Sequence, residues 1–185
     1  MALTKTPVCD FGKKAEDFKL KSIENKIISL NDVKGEKATL IMFICNHCPY
    51  VKAIIRDLAK DCNELKKDGI NSVAIMSNDT KNYPEDSFDN MIKFAKTNNF
   101  GKINYLIDET QEIARKYGAV CTPDFFGYNK ELKLQYRGRF RELKDLKPVS
   151  GGDSDLKIAM KMISETQAGP KEQIPSMGCN IKWFN

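Results

Sequence analysis

Apolar residues in the first half of the chain switch from the spacing of a strand to the spacing of a helix. The run of residues 39–44 is apolar on both faces, as in a central parallel strand covered by helices. Apolar residues three and four apart then predict an amphipathic helix over residues 49–66, with core positions at Val51, Ile55, Leu58, Cys62 and Leu65. A second strand over residues 71–76 completes a β-α-β unit.

Further elements are predicted on both sides of this unit. They are a hairpin from residues 18–20 and 27–30, helices over 86–97, up to 117 and over 154–166, and strands over 105–107, 120–128 and 132–136. This order predicts an α/β fold with a central mixed sheet and flanking helices.

Length and composition place the chain among globular proteins. With 185 residues, 41% hydrophobic and 30% charged, it is expected to form a single soluble domain over residues 1–185. No apolar stretch is long enough to span a bilayer and the amino-terminal residues lack the apolar core of a signal peptide, so we expect a cytoplasmic protein without a membrane partner. The net charge of +5 has one dense basic spot, Arg137, Arg139 and Arg141, which does not predict nucleic-acid binding.

The number and spacing of the cysteines indicate a role in catalysis or metal binding. Six unevenly spaced cysteines do not resemble a disulfide-stapled scaffold, and in a reducing compartment they are expected to be mostly thiols, which leaves catalysis or metal binding as their use. Cys45 and Cys48 form a Cys-x-x-Cys motif where the apolar strand ends and the helix begins, and Pro49 suits the first helical turn.

This spacing predicts a reversible disulfide. Residues three apart on a helical turn have Cβ atoms roughly 5–6 Å apart, close to what a disulfide needs. The helix terminus favours a thiolate, and we expect Cys45, at or just before the first turn, to be the attacking sulfur. His47, the sole histidine, would stabilise a thiolate when protonated and make the disulfide more oxidising. Cys45, His47 and Cys48 are therefore the predicted catalytic residues.

Two other uses of the motif stay open at this point. A structural zinc site needs four ligands, and only the scattered Cys121, Cys179 and His47 could complete one with Cys45 and Cys48. A non-enzymatic metal-binding or scaffold module is thus an alternative, as are two inert buried thiols. The favoured prediction includes neither a metal nor a cofactor.

Several blocks of sequence resemble one family. They are residues 43–51, 77–79, 83–86, 121–126, 136–139 and 175–183. Together they resemble the peroxiredoxin-like thioredoxin-family (redoxin) proteins of the alkyl hydroperoxide reductase/thiol-specific antioxidant superfamily. The resemblance implies a thioredoxin-like fold with an amino-terminal hairpin extension (residues 1–36), a helical insertion and a carboxyl-terminal docking tail (residues 168–185). Residues 141–144 depart from the acidic segment usual in that family.

The resemblance also assigns substrate-binding residues. Thr122 and Pro123 match the residue pair in which a cis proline faces the active disulfide and its neighbour offers backbone hydrogen bonds to an extended substrate. Cys121 and Cys179 are candidate auxiliary thiols. Either the tail docks through Trp183 and leaves Cys179 structural, or it supplies a resolving thiol. The implied partners are protein or small-molecule disulfides and a cellular thiol reductant such as thioredoxin or glutathione.

A thiol peroxidase acting on hydroperoxides is the alternative enzyme. In peroxiredoxins the peroxide-attacking cysteine falls at Cys48, with a threonine three residues and a proline seven residues earlier. This chain has Cys45 and Ile41 at those positions. Without the donors that polarise a peroxide, the sequence favours disulfide exchange, which requires only a thiolate, a resolving thiol and access.

Overall fold

The computed structural model of the protein describes residues 2–149 and 151–184. Met1, Ser150 and Asn185, which the predicted domain also includes, lie outside the described residues. The strands are β1 Leu3–Lys5, β2 Lys19–Ser22, β3 Ile27–Ser29, β4 Ala38–Phe43, β5 Ile70–Met76, β6 Asn104–Ile107, β7 Cys121–Thr122, β8 Asp124–Asn129, β9 Leu134–Tyr136, β10 Leu143–Lys144, β11 Lys147–Pro148 and β12 Met177–Asn180. The α-helices are α1 Leu30–Val33, α2 Pro49–Leu65, α3 Phe88–Thr97, α4 Glu112–Tyr117 and α5 Asp155–Thr166.

A seven-stranded sheet organises the molecule, in the order β3-β2-β6-β5-β4-β8-β9. Strand β4 is parallel to β5 and antiparallel to β8, so the sheet is mixed. All six residues of β4 are buried because helices cover both faces of the sheet. Leu40 and Met42 pack in the cluster that includes α2 and α5, and Ile41 and Phe43 pack in the cluster that includes α4. The predicted α/β fold class is confirmed.

The bounds of α2 decide where the two cysteines lie. Pro49 occupies the first helical position, where its missing N–H costs no hydrogen bond, and Cys48 is the N-cap residue. Both Cys45 and Cys48 therefore precede the helix. Helix α2 begins at the predicted residue, so Cys48 stands at the helix terminus and Cys45 lies three residues before it.

The helix predicted over residues 86–97 begins later than expected. It starts at Phe88 with Ser87 as its N-cap, and a short 3-10 turn, Pro84–Asp86, precedes it. Asp86 is consequently a buried turn residue instead of a helix start. Its side chain is free to point into the site described below.

The strand predicted over residues 120–128 is divided at Pro123. Strand β8 stays in the large sheet, whereas β7 joins a three-stranded sheet of order β1-β12-β7 that the sequence did not predict. In this small sheet Cys179 pairs with Thr122, and Leu3 pairs with Cys179 on the other side. The segment that departs from the family pattern, residues 141–144, contains β10, which pairs with β11 in a hairpin. Within the described residues, none of the helices has the length and apolarity needed to span a membrane.

Candidate active site

The end of β4 places both sulfurs of the Cys-x-x-Cys motif against Thr122. The Sγ atom of Cys45 lies 3.3 Å from Oγ1 of Thr122, and the Cys48 thiol donates a hydrogen bond to the Thr122 carbonyl oxygen at 3.1 Å. The Thr122–Pro123 peptide bond is cis. Cys45 is 1% exposed and Cys48 is 0% exposed, and both are free thiols. The structure thus brings together Cys45, Cys48, Thr122 and Pro123.

The two thiols differ in acidity, and Cys48 is the more acidic. A hydrogen bond from Cys45 is the largest cause that lowers the pKa of Cys48, from 9.0 to about 5, and the backbones of Cys179 and Val51 lower it further against the opposing effect of burial. The pKa of Cys45 is raised well above 9.0, first by its hydrogen bond to Cys48 and then by burial and the charge of Asp86. The pair therefore shares one proton, which stays on Cys45.

These directions are opposite to the expectation that Cys45 carries the thiolate. The physical reason is positional. Cys48 is the N-cap residue of α2, and the backbone of Val51 in the first turn lowers its pKa. Cys45 lies three residues earlier, where the charge of Asp86 disfavours a second negative charge. The directions of the two pKa shifts favour a thiolate on Cys48, and on ionisation that sulfur gives up its hydrogen bond to the Thr122 carbonyl oxygen.

His47 is held by a buried carboxylate. Its Nδ1 atom lies 2.7 Å from Oδ2 of Asp86, and its ring stacks on Tyr83 with centroids 5.7 Å apart and an interplanar angle of 7°. Asp86 also accepts hydrogen bonds from the backbone N–H of Asn46 at 2.8 Å and from Nδ2 of Asn78 at 2.8 Å. Three donors thus satisfy a carboxylate with no exposed surface. The role of His47 as a tuner of the thiolate stays a prediction.

The residue between Cys45 and His47 is fixed as well. The Asn46 side chain accepts a hydrogen bond from the hydroxyl of Tyr105 at 2.9 Å and donates one to the Glu85 carbonyl oxygen at 3.1 Å. Tyr105 is fully buried in β6. The motif is therefore anchored to the sheet and to the turn that carries Asp86.

The tail brings a third thiol to this pair. Strand β12 places Cys179 opposite Thr122, and Cys179 packs in the same cluster as Cys45 and Cys48. Burial and the neighbouring Cys48 raise the pKa of Cys179 to about 11. Cys121 is also nearby, but its thiol donates to the Pro123 carbonyl oxygen at 3.6 Å, and burial is the main cause that raises its pKa.

A metal could use part of this site. The ligand atoms of Cys45, His47 and Asp86 lie within 4.8 Å of one another. Soft thiolate and imidazole ligands with a carboxylate suit zinc. In the structure, however, the His47 and Asp86 atoms already bond each other, and Asp86 is saturated by donors. A cation there would have to replace these hydrogen bonds.

Sequence reasoning missed Asp86, Asn78 and Tyr105. Residues 83–86 and 77–79 were recognised as family blocks, but Asp86 was interpreted as a helix start, and nothing in the local pattern reveals that it returns to a motif 39 residues earlier. The signal that could have found it is an acidic residue in a turn that follows the carboxyl end of β5, the edge of the sheet at which Cys45 also lies.

Comparison with known proteins identifies the family. The model of the AhpC/TSA family matches residues 11–139, which include both cysteines of the motif and Thr122–Pro123. The chain belongs to the AhpC/TSA family. This AhpC/TSA protein is therefore a member of a thioredoxin-fold family of redox enzymes. Among curated proteins, no relative matches it.

Solved structures agree with the fold of this AhpC/TSA protein. An uncharacterized conserved protein from Geobacillus kaustophilus is 39% identical, with a TM-score of 0.94, over 100% of this chain and 97% of that chain. The thioredoxin domain of a thiol-disulfide oxidoreductase from Bacteroides vulgatus is 19% identical, with a TM-score of 0.58, over 69% of this chain and 86% of that domain. A peroxidoxin from Mycobacterium tuberculosis is 16% identical, with a TM-score of 0.55, over 67% of this chain and 81% of that chain. The last two similarities show the thioredoxin-like fold alone.

Proposed function

We propose that this protein is a thiol-disulfide oxidoreductase in which Cys48 is the nucleophile and Cys45 the resolving thiol. The observation that carries the proposal is the pairing of the two sulfurs at the terminus of α2, where the pKa of Cys48 is lowered to about 5. At neutral pH Cys48 is then a thiolate without any external base. Thr122 lies against both sulfurs. Its backbone pairs with Cys179 of β12, so an extended disulfide substrate would have to displace this strand to bind there.

The reaction conserves atoms and electrons. The Cys48 thiolate attacks one sulfur of a protein or small-molecule disulfide, forms a mixed disulfide and expels the other sulfur as a thiolate. Cys45 then loses its proton to that leaving thiolate and attacks the Cys48 sulfur. The Cys45–Cys48 disulfide forms and the second substrate thiol departs. Two protein thiols are oxidised, one substrate disulfide is reduced, and a thiol such as thioredoxin or glutathione restores the pair.

Turnover with defined variants tests this proposal. Wild-type protein should catalyse reduction of insulin disulfides in the presence of a thiol reductant, and Cys48→Ser should abolish it. Cys62→Ser is the matched control, because Cys62 is buried in α2 away from the site. Equal activity of Cys48→Ser and Cys62→Ser would disprove the proposal.

A thiol peroxidase is the second candidate, favoured by one observation: the thiolate is on Cys48, the position of the peroxide-attacking cysteine in peroxiredoxins. Against it, each arginine of the basic spot bonds a group other than the sulfur. Arg137 binds Asp124, Arg139 binds Asp155, and Arg141 donates to the Gly152 carbonyl oxygen. Stopped-flow consumption of hydroperoxide that is faster than insulin reduction would favour the peroxidase.

The low pKa of Cys48 has a consequence for the redox potential. A stabilised thiolate favours the reduced form and makes the disulfide more oxidising. Reference thiols with pKa values of about 7 and 3.5 belong to couples near −270 and −120 mV. A value of about 5 therefore predicts a Cys45–Cys48 potential between those limits. Equilibration with glutathione buffers measures it, and a potential below about −270 mV would contradict the assignment.

Metal analysis distinguishes the two proposed activities, disulfide exchange and peroxide reduction, from the metal-binding alternative. Protein purified without chelator should show no stoichiometric zinc if the pair works as a thiol couple. One zinc per chain, lost in a Cys45→Ser variant, would instead support a site built on Cys45, His47 and Asp86.

A further inference from the structure

A cavity of about 470 Å³ lies where the start of α2, the β10–β11 hairpin, β1 and the tail meet. Its volume is within the range of about 300–1,000 Å³ that holds a drug-sized ligand. Leu146, Ile174 and Met177 are 41%, 53% and 38% exposed, so the cavity presents apolar surface to solvent. The apolar side chains that line it are Tyr50, Leu143, Leu146, Ile174, Pro175 and Met177.

Two elements connect this cavity to the thiol pair. On α2, Tyr50 follows Cys48 by two residues. On β12, Met177 precedes Cys179 by two residues, so their side chains lie on the same face of the strand, roughly 7 Å apart along it. Cys179 packs in the cluster that contains both motif cysteines, and Tyr50 and Leu143 pack against that cluster while they also line the cavity. Tyr50 and Leu143 therefore form the boundary between the cavity and the sulfurs.

The β10–β11 hairpin, which begins in the segment that departs from the family pattern, supplies Leu146 at its tip. Lys144 pairs with Lys147, so Asp145 and Leu146 are the two turn residues, and their φ angles are 50° and 58°. Such a turn favours Asn-Gly, and a leucine in it is strained. Because Leu146 is also 41% exposed, neither turn geometry nor core packing accounts for a leucine here. A ligand in the cavity would bury it.

The charged groups around the cavity balance one another. Nε of Arg139 donates to Oδ2 of Asp155 at 2.6 Å, and its guanidinium also lies 3.8 Å from a carboxylate oxygen of Glu142. Lys5 and Asp145 form no ion pair in the part of the chain that the structure describes, and their charges are opposite. The lining therefore favours neither an anion nor a cation. Its apolar surface favours an apolar group.

The chemistry of Cys48 indicates what this apolar group belongs to. A disulfide substrate becomes covalently joined to Cys48, so the residues next to its reacting cysteine must lie near that sulfur. The edge of β7 at Thr122 is already paired with β12 and is closed to a substrate chain. The cavity, which begins two residues beyond Cys48 at Tyr50, offers space for a substrate side chain.

We propose that this cavity binds a large apolar side chain next to the reacting cysteine of a peptide or protein disulfide. The protein thereby selects such disulfides over hydrophilic ones such as glutathione disulfide. This inference rests on the proposed function, because it names the substrate class of the same thiol pair. Leu146, Ile174 and Met177 contact the apolar side chain. Since Cys48 is buried, Tyr50 moves aside as the disulfide reaches the sulfur.

Two synthetic peptide disulfides of equal length and charge test the proposal. One has leucine and the other serine on both sides of its cysteine, and glutathione disulfide serves as a third substrate. Stopped-flow oxidation of the reduced, full-length protein gives a second-order rate constant for each. We expect the leucine peptide to react at least about tenfold faster than the serine peptide, as full burial of one leucine side chain allows. Equal rate constants for the two peptides would overturn the proposal.

A variant at the hairpin tip assigns the preference to the cavity. Leu146→Asn removes apolar surface, and asparagine tolerates a positive φ angle, so the turn is retained. It should lower the preference for the leucine peptide by about threefold or more and leave the rate with glutathione disulfide unchanged. Ile158→Asn is the matched control, because Ile158 is an exposed apolar residue of α5 outside the cavity. An undiminished preference in Leu146→Asn would contradict the assignment.

Binding without reaction provides a second measurement. The leucine peptide with serine in place of its cysteine should shift the methyl NMR signal of Met177 saturably, whereas the all-serine analogue should not. A shift confined to other methionines would overturn the proposed site. If glutathione disulfide oxidises Cys45 and Cys48 but the leucine peptide has no advantage, this inference fails and the proposed function stands. If none of the three disulfides reacts with Cys48, both fail.

Discussion

Nδ1 of His47 lies 2.7 Å from Oδ2 of Asp86, a carboxylate with no exposed surface. This contact joins the middle of the Cys-x-x-Cys motif to the turn before α3. It also places a buried negative charge close enough to Cys45 to raise the pKa of that thiol. The same carboxylate therefore orients the histidine ring and helps to decide which of the two sulfurs keeps the proton.

Replacing Asp86 with asparagine should lower the pKa of Cys45, because the substitution removes the charge that opposes a thiolate there. It should also reduce the free energy of unfolding by about 1–3 kcal/mol, since three donors then face a side chain with one acceptor oxygen. Ultraviolet absorbance of thiolates as a function of pH measures the first effect and urea denaturation the second. Asp89→Asn, on the exposed side of α3, is the control. An unchanged Cys45 titration would contradict the assigned role of Asp86.

Removing the Cys45 thiol should make Cys48 less acidic. The hydrogen bond from Cys45 is the largest cause of the low pKa of Cys48, so Cys45→Ala should move that pKa from about 5 upward toward 9.0. The thiolate absorbance of Cys48 would then appear at higher pH than in wild type. Cys62→Ala, which alters a buried thiol outside the site, should leave the titration in place. A midpoint that stays near 5 in Cys45→Ala would assign the acidity to the helix terminus alone.

The lowered pKa of Cys48 makes the free energy of unfolding depend on pH. Cys48 is deprotonated in the folded chain above about pH 5 and protonated in the unfolded chain below 9.0, so unfolding takes up a proton between these values. Cys48 therefore contributes stability that is complete above pH 9 and is lost as the pH falls toward 5, with a slope of at most about 1.4 kcal/mol per pH unit. Cys48→Ser should flatten the dependence of the unfolding free energy on pH between these limits. If the slope in Cys48→Ser equals that of wild type, other ionisable groups cause the pH dependence of the unfolding free energy.

Alanine at Gly178 should push β12 away from Thr122, because the new Cβ would overlap the carbonyl oxygen. Overpacking of this kind costs about 1–3 kcal/mol. We expect faster alkylation of Cys48 at neutral pH and a lower unfolding free energy. Gly151→Ala is the matched control, because a Cβ there has no atom within 4 Å. Equal alkylation rates in the two variants would mean that β12 does not restrict access to Cys48.

Arg137 and Asp124 form a buried ion pair directly after the Thr122–Pro123 segment. Nη2 of Arg137 lies 2.9 Å from Oδ2 of Asp124, which has no exposed surface. Arg137→Ala would leave the buried Asp124 carboxylate without a positive charge beside it, with only the backbone N–H of Val120 as donor, and such losses cost about 3–5 kcal/mol. Arg56→Ala, at an exposed position of α2, should change the unfolding free energy by less than about 0.5 kcal/mol. Similar denaturation midpoints for the two variants would refute the structural role of the pair.

The large sheet could be predicted from the sequence because its elements carry strong local patterns. Strand β4 is an uninterrupted apolar run, and α2 repeats apolar residues at helical spacing over 17 residues. The small sheet has no such pattern. Strands β1, β7 and β12 have two to four residues of mixed polarity, and their pairing joins positions such as Thr122 and Cys179 that are far apart in the chain.

The site could be predicted as a list of residues but not as an arrangement. Cys45, His47, Cys48, Thr122 and Pro123 were found from motif and resemblance, and the structure places them together. The acidity difference between the two thiols runs opposite to the expectation, because it also depends on Asp86, which comes from another turn. The position of Asp86 is not encoded in the spacing of the two cysteines.

Strand β12 lies between β7 and β1, so Leu3, Thr4 and Lys5 brace the strand that carries Cys179. Residues near opposite ends of the sequence thus meet within one hydrogen-bonded ribbon beside the thiols. An affinity tag or a truncation placed near residue 3 is consequently expected to change the thiol reactivity of Cys48 and Cys179.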